Sequence, residues 1–403
     1  MECVKLGDYC DITSSKRVFA NQYVEKGVPF YRSREIIEKK EMADISEPLF
    51  ISEELYETFR KKFGVPIEGD LLLTSVGTLG IPYIVKNERF YFKDGNLTWM
   101  KNFKKELSSK YLYYWLNSKF GKESLINRAI GSSQAALTIA ILKKYKIFLP
   151  TLRNQNQIVD ILSAYDNLIE NNNKRIKILE QMTENLYKEW FVRFRFSNYQ
   201  NTEFENGIPK GWKVIQVQDL FDISIGRTPD RKVFEYFSNN QSDYLWVSIA
   251  DMKDKMFVMS SSEYLTCDAI RKVNMPMVSE NTVILSFKLS VGRVAITTQL
   301  SCTNEAIAHF NTNNKQLVEY TYLYLKFFQY QDLGNTSAIG NAVNSTIIRK
   351  MKFLYPDEEI LRVFHLRIKD VFNEIKLLSR KNQNLIKQRD MLLPRLMSGK
   401  LEV

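Results

Sequence analysis

Histidine is nearly missing from this chain: of 403 residues, only His309 and His365 carry an imidazole. A histidine zinc site or a Ser-His-Asp triad would have to be built on one of these two, and each reads more simply as a surface or packed side chain. Cysteine is scarce too. Cys3, Cys10, Cys267 and Cys302 form no C-x-x-C pair, and a cytoplasmic protein with free thiols is expected. No apolar run approaches the roughly 18 residues of a membrane span. The opening MECVKLGDYC has no basic stretch leading into an apolar one, so no signal peptide is expected. There is no G-x-x-x-x-G-K-[ST] loop, no G-x-G-x-x-G turn after a strand, and no Asn/Asp-Pro-Pro-Tyr/Phe motif for holding a flipped base. A self-contained ATPase, methyltransferase or nuclease is therefore disfavoured. Pro356-Asp357 with Glu374 and Lys376 imitates a metal-nuclease signature. That chemistry needs carboxylates converging on a cation, whereas Glu374 and Lys376 flank Ile375 on a heptad helix and are expected to face solvent.

What the chain does contain is length, ordinary apolar content (44%) and a net charge of +11. The length suggests two or more domains. The charge suggests a polyanionic partner, but it is uneven. Residues 1–150 hold 24 basic and 18 acidic side chains, whereas residues 197–356 hold 16 and 15, so any anion-binding surface in the second half must be local.

The chain repeats itself. LKKYKIFLP (142–150) returns as IRKMKFLYP (348–356), and VKLGDYCDI (4–12) returns as IQVQDLFDI (215–223). GDLLLTSVGTLGIPYIV (69–85) matches ENTVILSFKLSVGRVAIT (280–297), and PFYRSREI (29–36) more loosely matches YLWVSIADM (244–252). Four matches in one order describe two long units. Short apolar runs read as strands, and SKYLYYWLNS (109–118) and LVEYTYLYLKFF (317–328) as short aromatic helices in matching places.

After each Pro the period changes. Ile158, Leu162, Tyr165, Ile169, Asn172, Ile176, Leu179, Leu186 and Trp190 alternate four and three apart, with Thr183 as the exception. Phe364, Ile368, Val371, Ile375, Leu378, Asn382, Leu385, Arg389, Leu392 and Leu396 repeat the stripe. A heptad stripe of this length is a coiled-coil seam, within which a buried Asn can set register. With two such helices, each is the other's natural partner. SNYQNTEFENGIPKGW (197–212) reads as a linker. The expected fold is α+β: two α/β domains at 1–150 and 197–356, and long helices at 151–196 and 357–403 pairing as an antiparallel coiled coil with pseudo-two-fold symmetry.

These elements together resemble the specificity subunit of type I restriction-modification systems. The resemblance rests on VKLGDYCDI and GWKVIQVQDLFDISIGRTP, on TSVGTLG, on the pair GSSQAALTIAILKKYKIFLP and IGNAVNSTIIRKMKFLYP, on the two helices, and on the ending LLPRLMSGKLEV. SSKR (14–17) stands where the second half has GRTP (226–229). The resemblance implies two target-recognition domains, each reading one half of a split double-stranded DNA sequence, with the spacer helices setting the gap. It implies no catalysis by this chain and no cofactor of its own. Two methyltransferase subunits would use S-adenosylmethionine, two restriction-translocase subunits would use ATP and Mg, and no membrane is involved.

Candidate DNA-contacting residues are taken from turns in the matched strands. In the first half they are Lys16, Arg17, Arg32, Arg34, Ser75, Thr78, Ser132, Ser133 and Gln134. In the second they are Arg227, Thr228, Arg231, Lys232, Ser248, Lys288, Ser290, Arg293, Ser337 and Asn341. Lys and Arg can neutralise phosphates, and Arg, Gln and Asn can pair bidentately with bases. The competing reading is a coiled-coil adaptor that binds proteins and not DNA.

Overall fold

The computed structural model describes residues 2–129, 135–333 and 344–401. By contact density it forms two units, Met1–Asn171 with Asn384–Val403, and Asn172–Gln383.

In the first unit the strand Glu2–Lys5 pairs with Lys146–Leu149 antiparallel, Cys3 opposite Phe148. In the second, Lys213–Gln216 pairs with Lys352–Tyr355 in the same way, Val214 opposite Leu354. The two repeated phrases of the sequence are thus the two strands of one ladder. Each ladder closes its domain just before the chain enters a long helix.

Between these strands lie two sheets per unit. The first unit has four strands in the order 11–13, 97–101, 71–74, 82–84, and four in the order 23–24, 49–51, 28–31, 91–92. The second unit repeats both orders and adds one edge strand to each sheet, Phe257–Val258 and Met277–Val278. Leu71–Thr74 and Val283–Ser286 are wholly buried because each is covered on both faces. Leu71 and Leu73 pack with Tyr111, Leu112 and Trp115 of the helix Ser109–Asn117, whereas Leu72 packs on the opposite face with Tyr31, Tyr83 and Trp99. Val283 and Leu285 pack with Tyr320 and Leu323 of the helix Leu317–Phe327, and Ile284 with Leu245 and Val247. This is the period-two alternation of a strand applied to two cores.

The heptad stripes form two helices, Leu152–Tyr187, extended by a wide turn at Lys188–Val192, and Glu358–Met397. They pair antiparallel within both units. In the second unit the Asn172 amide donates to Asn382 Oδ1 (2.8 Å), and the Asn382 amide donates to Asn173 Oδ1 (2.7 Å). Asn382 is 6% exposed, so its amide has little water to exchange with, and any slip of the helices would leave it unpaired. Ile176 and Leu179 pack against the apolar cluster that holds Ile375, and Leu378 is buried on the same helix as Ile375. In the first unit Arg389 occupies a seam position because Asp166 accepts its guanidinium at 2.7 Å; Asp166 also accepts the Tyr114 hydroxyl at 2.6 Å. Thr183 does lie in the stripe, buried, with its hydroxyl donating to Glu180 O.

Two expectations need correction. Residues 197–212 are not a free linker: Phe204–Glu205 and Ile208–Pro209 pair as a hairpin, and Trp212 is buried against Phe191 and Phe196. Lys376 does not face solvent. Its ammonium donates to Glu280 Oε1 (2.7 Å) and Asn281 Oδ1 (3.0 Å), bracing the helix against the turn before Val283, while Glu374 accepts from Arg175.

Both histidines are packed. His365 Nδ1 lies 2.8 Å from Glu319, whose carboxyl is held above the usual range mainly by burial. His309 is fully buried on the strand Ile307–Asn311, with Nδ1 at 2.9 Å from Ser224 Oγ and Nε2 at 2.7 Å from Thr303 Oγ1. Both hydroxyls could accept from an imidazolium, so desolvation alone lowers its pKa, to about 4. Between pH 6.5 and 4 the unfolded chain binds a proton that the fold does not, so stability falls on acidification through that window and is fully present above it. The expected loss is about 3 kcal/mol. Denaturation of wild type and His309→Gln from pH 7.5 to 4 checks it: the variant's pH dependence should be flatter by that amount.

Candidate nucleic-acid interface

In the first domain, the turns picked from sequence gather around one loop, residues 93–97. The Asn96 carbonyl accepts from Ser75 N (2.8 Å) and from Ser33 Oγ (3.2 Å). The Leu97 carbonyl accepts from Ser14 Oγ, and Ser15 Oγ donates to Phe92 O at 2.7 Å. Arg17 reaches the same loop through Asp94 at 2.8 Å. Val76 bridges to Ala136, tying in the segment after residue 134. Segments 14–17, 32–34, 75–78 and 135–137, distant in sequence, therefore form one edge.

The second domain builds the same edge around residues 303–306. Arg227 N donates to Thr303 O, Asn304 N to Val247 O, and Phe287 N to Ala306 O. Thr228 Oγ1 donates to Glu305. Gly226 is required by this approach: a Cβ there would lie 2.2 Å from the Asn304 carbonyl oxygen. Neither hub loop stands out in the sequence. The Asp94-Gly95 turn signal was visible, but Asn96, Asn304 and Glu305 carry no signal of proximity.

The strand-connecting turns share two hydrogen bonds at matching positions. Gly80 N donates to Thr74 O (2.8 Å) and Ile81 N to Thr74 Oγ1 (2.9 Å); Gly292 N donates to Ser286 O (3.0 Å) and Arg293 N to Ser286 Oγ (3.0 Å). At the apex the first turn has Gly77 at φ 78°, and the second has Leu289 at φ 61°. A leucine costs about 1–2 kcal/mol in that region, a glycine nothing comparable. Leu289 is also 95% exposed.

Most of the arginines selected from sequence already have partners. Arg32 is held by buried Glu35 (3.0 Å), which raises its pKa and also caps the helix Ser33–Lys40. Arg34 pairs with Glu38 and Glu47. Arg227 donates to the carbonyls of Val273 and Asn274, and Arg293 to that of Ile249. Arg231 pairs doubly with Glu263, which raises its pKa, and its guanidinium lies over the Phe237 and Trp246 rings. Ser248 donates twice to Asp251, and the Ser290 carbonyl accepts from Ser286. Ser75 is buried and bonded to Thr98, so its hydroxyl is not presented at the surface. Thr78, Lys16, Lys232 and Lys288 are exposed; among the described residues none of these three lysines pairs with a carboxylate, and Lys16 lies over Phe63. Ser132, Ser133, Gln134, Ser337 and Asn341 lie outside the described residues. Among the described residues no three His, Cys, Asp or Glu side chains group as a metal site, and no helix is long and apolar enough to cross a membrane.

The model for the type I restriction modification DNA specificity domain matches twice, at residues 1–181 and 209–388. A type I restriction enzyme specificity subunit, MjaIX, from Methanocaldococcus jannaschii is 30% identical over 354 residues, covering 83% of this chain and 78% of the relative. The HindI specificity subunit from Haemophilus influenzae is 22% identical over 328 residues, 66% of this chain and 71% of that one. The crystal structure of a type I restriction-modification S subunit from M. genitalium shares the fold with a TM-score of 0.60 at 13% identity, covering 98% of this chain and 95% of that one.

Proposed function

The chain belongs to the type I restriction-modification DNA specificity family, and on that premise we propose that it reads a bipartite duplex sequence with its two domains. The observation that carries this is the doubled edge: each copy of the domain brings its matched turns together around one loop. Residues 1–150 read one half-site and residues 197–356 the other. The helices at 151–196 and 357–403 set the gap and carry two methyltransferase subunits, joined in the restricting complex by two translocase-nuclease subunits. This chain is not itself catalytic. S-adenosylmethionine serves the methyltransferases, and ATP with Mg the translocases.

Within each domain the residues divide by task. Lys16, Lys232 and Lys288 neutralise phosphates, and Thr78, Ser132, Ser133, Gln134, Ser337 and Asn341 are the candidates for base contact by their side-chain chemistry. Arg17 and Arg34 are half or more exposed in their ion pairs. Water and salt screen such exposed pairs, so exchange of the carboxylate for a phosphate is inexpensive. Arg32, Arg227, Thr228, Arg231, Ser248, Ser290 and Arg293 hold the turns in shape, and Ser75 locks the strand end. Shaped turns lose less entropy on binding than loose ones.

The test is duplex binding by this chain assembled with its methyltransferase partner, on a target identified by sequencing methylated genomic DNA. For six to ten phosphate contacts, affinity should fall by roughly 10³–10⁵ between 50 and 200 mM salt. A target-selective complex that loses one half-site should bind little better than to random duplex. Assembly without any duplex binding would establish the adaptor reading instead.

A further inference from the structure

Leu289 is out of place by every local criterion. It stands at the apex of a turn whose counterpart in the first domain carries Gly77, with matching hydrogen bonds on both sides. Its backbone lies in the left-handed region, which a glycine enters freely and a leucine does not. Its side chain is 95% exposed, so it contributes almost no burial to the fold. The turn around it is tied down by hydrogen bonds and packing. Ser286 is buried, its hydroxyl donates to the Ser290 carbonyl and accepts from Arg293 N, and Gly292 lies against the Tyr330 ring. Next to it, Lys288 is exposed and pairs with no carboxylate among the described residues. An apolar tip on a hydrogen-bonded turn, beside a lysine that lies over the Phe287 ring and meets no carboxylate among the described residues, suits a surface that is anionic at its rim and apolar at its centre. A DNA groove is such a surface, with phosphates outside and base edges, thymine methyls and base faces within.

We infer that Leu289 makes an apolar contact with a base of the half-site read by the second domain, while Lys288 takes the adjacent phosphate. The inference rests on the DNA-reading function proposed above and deepens it. It also makes the two domains different in kind at the same place. The first turn leaves its apex bare, with nothing within 4 Å of a Cβ at Gly77, and the second presents a side chain.

The experiment uses the full chain assembled with its methyltransferase partner, comparing wild type, Leu289→Gly, Leu289→Asn and Lys288→Gln. Because glycine and asparagine tolerate the left-handed conformation, both Leu289 variants should melt no lower than wild type and assemble normally. Leu289→Gly should bind the target roughly tenfold more weakly, equivalent to 1.4 kcal/mol at 25 °C. Its salt dependence should not change, since no charge is lost. Methylation of a randomised library should lose preference at one position of the second half-site and keep the first half-site intact. Lys288→Gln should instead weaken binding to all duplexes and make the salt slope shallower by about one contact. Replacing each thymine of the half-site with deoxyuridine identifies a methyl contact, because wild type then loses affinity and Leu289→Gly does not. Loss at no thymine, with the relaxed position retained, identifies stacking on a base face. If Leu289→Gly keeps wild-type affinity and selectivity while wild type still reads its target, the inference is overturned and the DNA-reading function stands. Failure of wild type to discriminate any sequence would overturn both. A Leu289→Gly defect confined to assembly with the methyltransferase would assign the tip to a protein contact and overturn the inference.

Discussion

A chain in which residues 1–150 are replaced by the equivalent domain of another family member should direct methylation to a target with one half new and the other half unchanged. Three or so mismatched base pairs in the old half-site, at about 1–3 kcal/mol each, should lower affinity for the original target by roughly 10²-fold or more. The independence has a structural basis. The edge of the first domain is built from its own residues around Asn96, and that of the second from its own around Asn304, so neither loop is shaped by the other. The exchange has one requirement. The first domain docks on the helices through Tyr111, Tyr114 and Trp115 packed with Ile158, Leu162 and Leu396, through Tyr114 bonded to Asp166, and through Gln155 bonded to residues 106, 108 and 150. A donor domain lacking these partners would strand the buried Gln155 amide and fold poorly, whatever its specificity. Methylome sequencing of cells carrying the hybrid decides the matter: a change in both halves together would show that the readers are coupled.

Removing one heptad from each long helix should shorten the unread gap. The Asn172–Asn382 contact identifies which heptads face each other. Deleting residues 174–180 with 374–380 keeps Asn172, Asn173 and Asn382 together and rejoins the pair in register. Seven residues at 1.5 Å each remove about 10 Å of helix, which is about three base pairs at 3.4 Å per step along the duplex. Three pairs also turn the duplex by nearly a third of its 10–10.5-pair repeat. Affinity should therefore drop even at the best new gap. Methylation of a library with randomised gaps measures both effects. Modified sites should keep both half-sequences with a shorter gap, and an unchanged gap would mean that the helices only carry partner subunits.

Much of this architecture was readable in the chain itself. Hydrophobic spacing located both long helices, because burial along a seam demands the same residues every turn or two whatever surrounds them. The seam asparagines were visible for the same reason, although their pairing was not. Leu71–Thr74 and Val283–Ser286 read as strands from their apolar runs, but the runs are silent about the two different cores that bury alternate residues.

The candidate interface was readable only as a set of turns. Sequence spacing cannot show that Arg227 will spend its guanidinium on carbonyls 46 and 47 residues away, or that Arg293 will do so on Ile249. A basic side chain has the same composition whether it is braced or free. The repeat itself, its order, the strand-then-helix logic of each half and the pairing of like helices all follow from local periodicity. Tertiary structure alone decided that the repeated phrases at 2–5 and 146–149 are partners in one ladder, which cations remain available, and that Leu289 stands where Gly77 stands. Those outcomes depend on hydrogen bonds between segments far apart in the chain, and no local pattern of residues records which backbone group a distant loop will meet.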